Sequence, residues 1–158
     1  MVTVIQVAGC GTPVTVYLVR HAEKQPPAPG APPAKDPSLS EKGASRAAAL
    51  KRVLASVKLD AVFATQFKRT QETVEPTARA RGLTVEIVDA GDVDGLAARI
   101  RKHAGGHVLA AGHSNTVPNV AAALGASDAL ALDDGDFGDL FVVNGASGWV
   151  ERRRFDLS

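Results

Sequence analysis

The sequence predicts an α/β fold with three layers: a mostly parallel mixed sheet, helices on both of its faces, and an antiparallel hairpin at the C-terminal end. Three observations carry this. Short apolar, β-branched runs alternate with stretches of helical periodicity from Val14 to Leu124, as repeated βα units around buried parallel strands do. Two late runs, Asp139 to Asn144 and Trp149 to Phe155, are separated only by Gly145-Ala146-Ser147-Gly148, a hairpin spacing that makes the sheet mixed. A chain of 158 residues is also the size of one compact domain with a core of its own. Residues 14–158 are therefore read as a single domain, and residues 1–13 as an N-terminal extension.

Val14 to Val19 is nearly continuous in apolar and β-branched residues and reads as the first buried strand. The proline-rich stretch from Gln25 to Pro37 cannot sustain helix or sheet ladders and is expected as an exposed, semi-extended loop. Ser40 is placed to cap a helix reaching about Val57, with Ala44, Ala47, Ala48, Leu50, Val53, Leu54 and Val57 as its apolar face. Leu59 to Ala64 is the second strand. Lys68 to Ala80 is the next helix, which Pro76 should kink or split, and Gly82 ends it. Val85 to Val88, Leu96 to His103 and His107 to Ala111 follow as strand, short helix and strand. Ser114 or Asn115 then caps a helix through Leu124, with Pro118 tolerated in its first turn.

Composition narrows the function. With 18 basic and 17 acidic residues the formal charge is +1, so no global field favours nucleic acid or an acidic membrane, and any anion site must be local. No apolar run approaches the ~20 residues that span a bilayer. The single cysteine, Cys10, can form neither an internal disulfide nor a thiolate metal site. Val7-Ala8-Gly9-Cys10 has the small-residue pattern that precedes a lipidated cysteine, but without the basic and apolar residues of a signal. A lipid anchor at Cys10 stands as the alternative to a frayed terminus. The location is left open between the cytoplasm and export from a bacterium.

The candidate chemistry sits at strand ends. Arg20 and His21 follow the first strand, Arg69 follows the second after a short turn, and His113 follows the fourth. The carboxyl ends of strands form the ligand crevice in open α/β sheets, so these residues would meet there. Two arginine forks suit the oxygens of a transferring phosphoryl group, and a neutral imidazole suits attack on phosphorus. Neighbouring cations favour that neutral form.

These residues resemble the histidine phosphatase (phosphoglycerate-mutase-like) superfamily. Val16-Tyr17-Leu18-Val19-Arg20-His21-Ala22-Glu23-Lys24 is similar to the family's Arg-His-Gly signature, with alanine in third place, and Leu39-Ser40-Glu41-Lys42-Gly43 to the entry of its first helix. Phe67-Lys68-Arg69-Thr70-Gln71-Glu72-Thr73 resembles the second-arginine motif and Gly112-His113-Ser114 the second-histidine motif. The resemblance implies a phosphoglycerate-mutase-like fold and hydrolysis of phosphomonoesters through a phosphohistidine at His21, with Arg20, Arg69 and His113 binding the phosphate. It implies no cofactor and no metal. The partner would be a small phosphorylated substrate or a phosphoprotein.

The chain departs from the family's mutases where the proline-rich loop replaces polar residues after the first histidine. The usual glutamate acid after the third strand has no clear equivalent; Asp92 is the first choice, with Asp89 and Asp94 as rivals, and Asp92 reads equally as the N-cap of the following helix. Glu23 and Lys24 either line the pocket or pair with each other. Asp133-Asp134-Gly135-Asp136-Phe137-Gly138-Asp139 reads as a polar turn rather than a calcium loop, since it lacks the terminal bidentate glutamate. Two alternatives to phosphomonoester hydrolysis stay open: a phosphohistidine-protein phosphatase, and a non-catalytic anion-binding or cell-surface module.

Overall fold

Thr15–Arg20 forms strand β1, and its residues 16–19 are all buried, because an apolar, β-branched run has no side to offer to water. Residues 12–127 and 130–157 are described by the structure, a computed structural model; Cys10 and the lipid-anchor reading lie outside them. After β1 come α1 (Glu41–Val53), β2 (Ala61–Ala64), α2 (Lys68–Ala80), β3 (Val85–Ile87), α3 (Val93–Arg101), β4 (His107–Gly112), α4 (Thr116–Ala123), β5 (Asp139–Asn144) and β6 (Val150–Arg154). The strands form one sheet in the order β3-β2-β4-β1-β5-β6. The first four are parallel neighbours, whereas β5 pairs antiparallel with both β1 and β6. The mixed sheet and the C-terminal hairpin agree with the sequence pattern.

Alternate residues of the central strands feed two cores. Val16, Leu18, Phe63, Ala110 and Phe141 pack against Ile100 of α3 and Val120 of α4. Tyr17, Val19, Val62, Leu109 and Leu140 pack on the other face against Leu50 of α1 and Val74 and Ala78 of α2. This is the period-2 alternation of a strand read twice, once for each face. Helices α1 and α2 thus cover one face, and α3 and α4 the other. Among the described residues no helix is long and apolar enough to cross a membrane.

Three element expectations need correction. Helix α1 ends at Val53, and its buried line is Gly43, Ala47, Ala49 and Leu50, while Ala44 and Val53 are exposed. Alanine buries on any face, so an alanine-rich helix reports its rotation poorly. Pro76 does not split α2: proline removes one backbone donor, but Val74 and Ala78 on either side of it are both fixed in the core. Helix α3 begins at Val93, three residues before the expected start, because Asp92 caps it and makes its glycine-containing first turn tenable. Gly82 closes α2 as expected, at φ +66°, where its N–H reaches Arg79 O and that of Leu83 reaches Ala78 O.

The register of the three central strands positions the chemistry. Arg20 of β1 pairs with Gly112 of β4, and Ala64 of β2 with Ala111 of β4. The next residues along the chain are His21, Thr65 and His113, which therefore emerge together at the carboxyl edge of the sheet. The His21 N–H donates to Gly112 O at 2.8 Å and continues the ladder one step into the site.

Candidate active site

An open cleft of about 470 Å³ lies at this edge, lined by His21, Phe67, Arg69 and His113 together with Ala90 and Gly91 of the β3–α3 connection and Ser114 to Thr116. Three of the four residues that the sequence singled out thus share one wall. The two imidazole centroids are 5.4 Å apart, edge to face. Among the described residues no group of three His, Cys, Asp or Glu side chains could hold a metal ion.

His21 is buried, and its Nδ1 lies 2.8 Å from the carbonyl of Ala22. A carbonyl only accepts, so Nδ1 carries the proton and Nε2 keeps its lone pair. Burial, and then the charges of Arg69, His113 and Arg20, push the ring's pKa down to about 4, although the Ala22 contact works the other way. The ring is therefore neutral near pH 7. The loop carrying it is held by α2: the Ala22 N–H donates to Thr73 Oγ1 at 2.9 Å, and that hydroxyl donates to Arg69 O.

His113 is also buried, and its pKa too is lowered to about 4, by burial first and then by Arg69 and Arg20. Its Nε2 is 2.9 Å from Thr65 Oγ1, and its Nδ1 receives a long contact of 3.4 Å from Arg69 Nη2. The edge of Phe67 abuts its ring at 5.2 Å, and the Arg69 guanidinium lies over the Phe67 face at 4.6 Å. Gly112 is required before it, since a Cβ there would collide with Thr116 Oγ1, which accepts from the His113 N–H. The start of α2, where Arg69 sits, is held from outside. Phe67 offers no side-chain cap, and Asp36 of the proline-rich loop accepts the Lys68 N–H at 2.9 Å instead.

Arg20 is not among the residues lining the cleft. Its Nη1 donates to the carbonyls of Asp133, Asp134 and Asp136 at 2.9, 3.1 and 3.3 Å, and its guanidinium stacks on Phe137 at 4.3 Å. Burial lowers the Arg20 pKa, while Asp134 and Asp136 offset part of that. The segment read as a polar turn is thus the seat of Arg20, and Phe137 also approaches the His21 ring at 6.1 Å. The Nε–H groups of Arg20 and Arg69 are both buried without a hydrogen-bond partner.

The structure separates Asp92 from this cluster. Its Oδ1 accepts the Gly95 N–H at 3.0 Å as the cap of α3, and it does not line the cleft. Asp94 lies in the first turn of α3. Asp89 accepts from the Gly91 N–H at 2.8 Å and from Gln66 Nε2 at 3.2 Å, beside the cleft-lining Ala90. Glu23 pairs neither with Lys24 nor with the cleft but with Arg46, whose Nε is 2.9 Å from Oε1 and 2.8 Å from Oε2. Burial would raise the pKa of this carboxylate; the Arg46 hydrogen bonds outweigh it and hold it below the usual range. Sequence reading missed Arg46, Thr65, Phe67 and Phe137 as members of this neighbourhood. Phe67 alone had a signal, its place inside the Arg69 motif.

With this geometry in view, the family model of the histidine phosphatase superfamily (branch 1) matches residues 16–91, the segment holding Arg20, His21 and Arg69. That match and the solved structures that resemble the chain support this superfamily for it. Among solved structures it is similar to the alpha-ribazole phosphatase from Shigella flexneri, at 16% identity and TM-score 0.65, over 91% of this chain and 96% of that one. It is similar also to the protein histidine phosphatase SixA complexed with tungstate, at 19% identity and TM-score 0.62, over 88% and 94% of the two chains. A third is the mycobacterial glucosyl-3-phosphoglycerate phosphatase, at 14% identity and TM-score 0.63, over 91% and 99%. At these identities the likeness establishes the phosphoglycerate-mutase-like fold. No curated protein matches the chain in sequence.

Proposed function

We propose that the chain hydrolyses phosphomonoesters through a phosphohistidine on His21. The observation that carries this is one cleft that joins His21, whose Nε2 lone pair is uncommitted, to Arg69, whose buried Nε–H has no partner; the buried Nε–H of Arg20, next to His21 in the chain, is likewise unpartnered. Buried charged donors without acceptors are costly, and a bound anion would supply what the protein does not.

In the first step Nε2 of His21 attacks phosphorus and the bond from phosphorus to the ester oxygen breaks. Arg20, Arg69 and His113 hold the equatorial oxygens, and the departing alkoxide takes a proton from a carboxylic acid. Water then attacks the phosphohistidine, giving a proton to the carboxylate left by the first step, and the Nε2–phosphorus bond breaks, which releases inorganic phosphate and restores neutral His21 and the carboxylic acid. No cofactor is invoked. We assign the leaving-group proton to Asp89 rather than Asp92: neither carboxylate lines the cleft, but Asp89 directly precedes the cleft-lining Ala90, whereas the Asp92 carboxylate caps α3.

A protein-borne phosphohistidine is the second substrate reading. The favouring observation is that residues 25–35 of the proline-rich loop are exposed and that no residue from Gln25 to Pro37 lines the cleft. Turnover of an aryl phosphate, an alkyl phosphate and a phosphohistidine peptide by the purified protein, with tungstate as a competing oxyanion, tests both. A higher kcat/KM on the peptide selects the second reading. Absence of turnover on every substrate leaves the non-catalytic anion-binding module in place of either.

A further inference from the structure

Thr65 and Thr70 adjoin His113 without lining the cleft, and both are buried. Their hydroxyls form a chain: Thr65 Oγ1 is 2.9 Å from His113 Nε2 and 2.8 Å from Thr70 Oγ1, and Thr70 Oγ1 is in turn 3.0 Å from Thr65 O and 2.8 Å from Phe67 O. The direction of the chain follows from what each end can do. Carbonyls only accept, so the single Thr70 hydroxyl proton goes to them. That leaves Thr70 Oγ1 as the acceptor for the Thr65 hydroxyl, and Thr65 Oγ1 as the acceptor for a proton on His113 Nε2. The opposite side of the ring agrees, because Arg69 Nη2 faces Nδ1 at 3.4 Å and a guanidinium has only donors.

We infer that Thr65 and Thr70 are positioning residues that hold His113 in its Nε2–H tautomer, with the Nδ1 lone pair turned toward Arg69. The mechanical consequence rests on the phosphatase reading. A phosphoryl group arriving beside Arg69 meets the Nδ1 lone pair, which accepts a hydrogen bond from the hydroxyl of a monoanionic phosphate, while Nε2–H stays anchored on Thr65. The opposite tautomer would present an N–H where Arg69 also presents one, and the ring would lose its register. The arrangement is the one by which outer-shell groups fix a functional imidazole elsewhere, where losing the partner costs roughly 10–100-fold.

Long-range nitrogen–proton correlation spectra of the free protein near neutral pH read the tautomer of each ring directly. The expected result for His113 is protonated Nε2 and bare Nδ1 in the wild type and in Thr65→Ser. In Thr65→Val, which keeps the shape and loses the hydroxyl, a mixture of tautomers is expected, with kcat/KM on an aryl phosphate reduced about 10–100-fold. Thr65→Ser should restore most of the rate, and Thr70→Val should give a smaller loss than Thr65→Val. A wild-type His113 protonated on Nδ1 overturns the inference without any variant being made. So does a Thr65→Val protein with wild-type kcat/KM and an unchanged His113 spectrum. The spectrum requires no turnover, so a failure of the phosphatase reading, seen as full activity in His21→Ala or none in the wild type, is distinct from a failure of this one.

Discussion

The ends of β1 and β4 carry the same residue in nearly the same setting and bond it oppositely. His21 and His113 each follow a strand, are each buried, and are each pushed to a pKa of about 4. Yet His21 has Nδ1 against the Ala22 carbonyl, while His113 has Nδ1 against a guanidinium and Nε2 against a hydroxyl. One ring thereby exposes the lone pair of Nε2, as a nucleophile needs, and the other tethers that nitrogen. Residue type and burial do not separate the two arrangements. The second group that each ring touches does.

The sharpest way to break this comparison is to remove each partner in turn. His21→Ala is expected to abolish turnover, a loss on the order of 10⁴ to 10⁶ in rate for a nucleophile in a cooperating set, and to leave the fold in place by circular dichroism. Activity near wild type in that variant would end the phosphohistidine proposal. Arg69→Ala removes the charge that faces both rings and should cost about 10² to 10³ in the chemical step, measured by single-turnover kinetics. A change confined to KM would instead mark Arg69 as a ground-state anchor.

A third comparison concerns the aspartates after β3. Asp89→Asn should slow alkyl phosphates by about 10² and aryl phosphates far less, because an aryl oxide leaves without a proton. Asp92→Asn should change neither substrate class nor stability much, since Asn caps a helix as well as Asp does. If the substrate-selective loss appears at Asp92, the two assignments are reversed.

The smallest effect is on stability. Both histidine pKa values lie near 4 in the folded chain, below the ordinary 6.5, so between these values the unfolded chain binds more protons. Stability is then fully present above pH 6.5 and declines as pH falls toward 4. Tm should drop across this window, and less steeply in His21→Ala, which removes one of the two contributors. An equal slope in both proteins would show that His21 titrates without such a penalty.

Much of this site was legible in the sequence, for a definite reason. An apolar run ending abruptly in Arg-His or Gly-His marks a strand's carboxyl end, and parallel sheets collect ligands there. The sequence by itself determined the βα alternation, the hairpin, the Ser40 cap and the strand-end places of Arg20, His21, Arg69 and His113. These depend on periodicity and local turn chemistry, which neighbouring residues carry between them.

Only the tertiary structure decided the partners. Strand order placed β4 between β1 and β2, bringing Thr65 behind His113 although 48 residues separate them. A contact across 113 residues seated Arg20 on the Asp133 carbonyl, and one across 23 residues took Glu23 away from Lys24 to Arg46. Asp36 caps a helix that begins 32 residues later. Each of these bonds is made by a polar group whose type fits many partners equally well, and the partner is chosen by which surface the packed core brings within about 3 Å, a distance that no periodicity in the chain encodes.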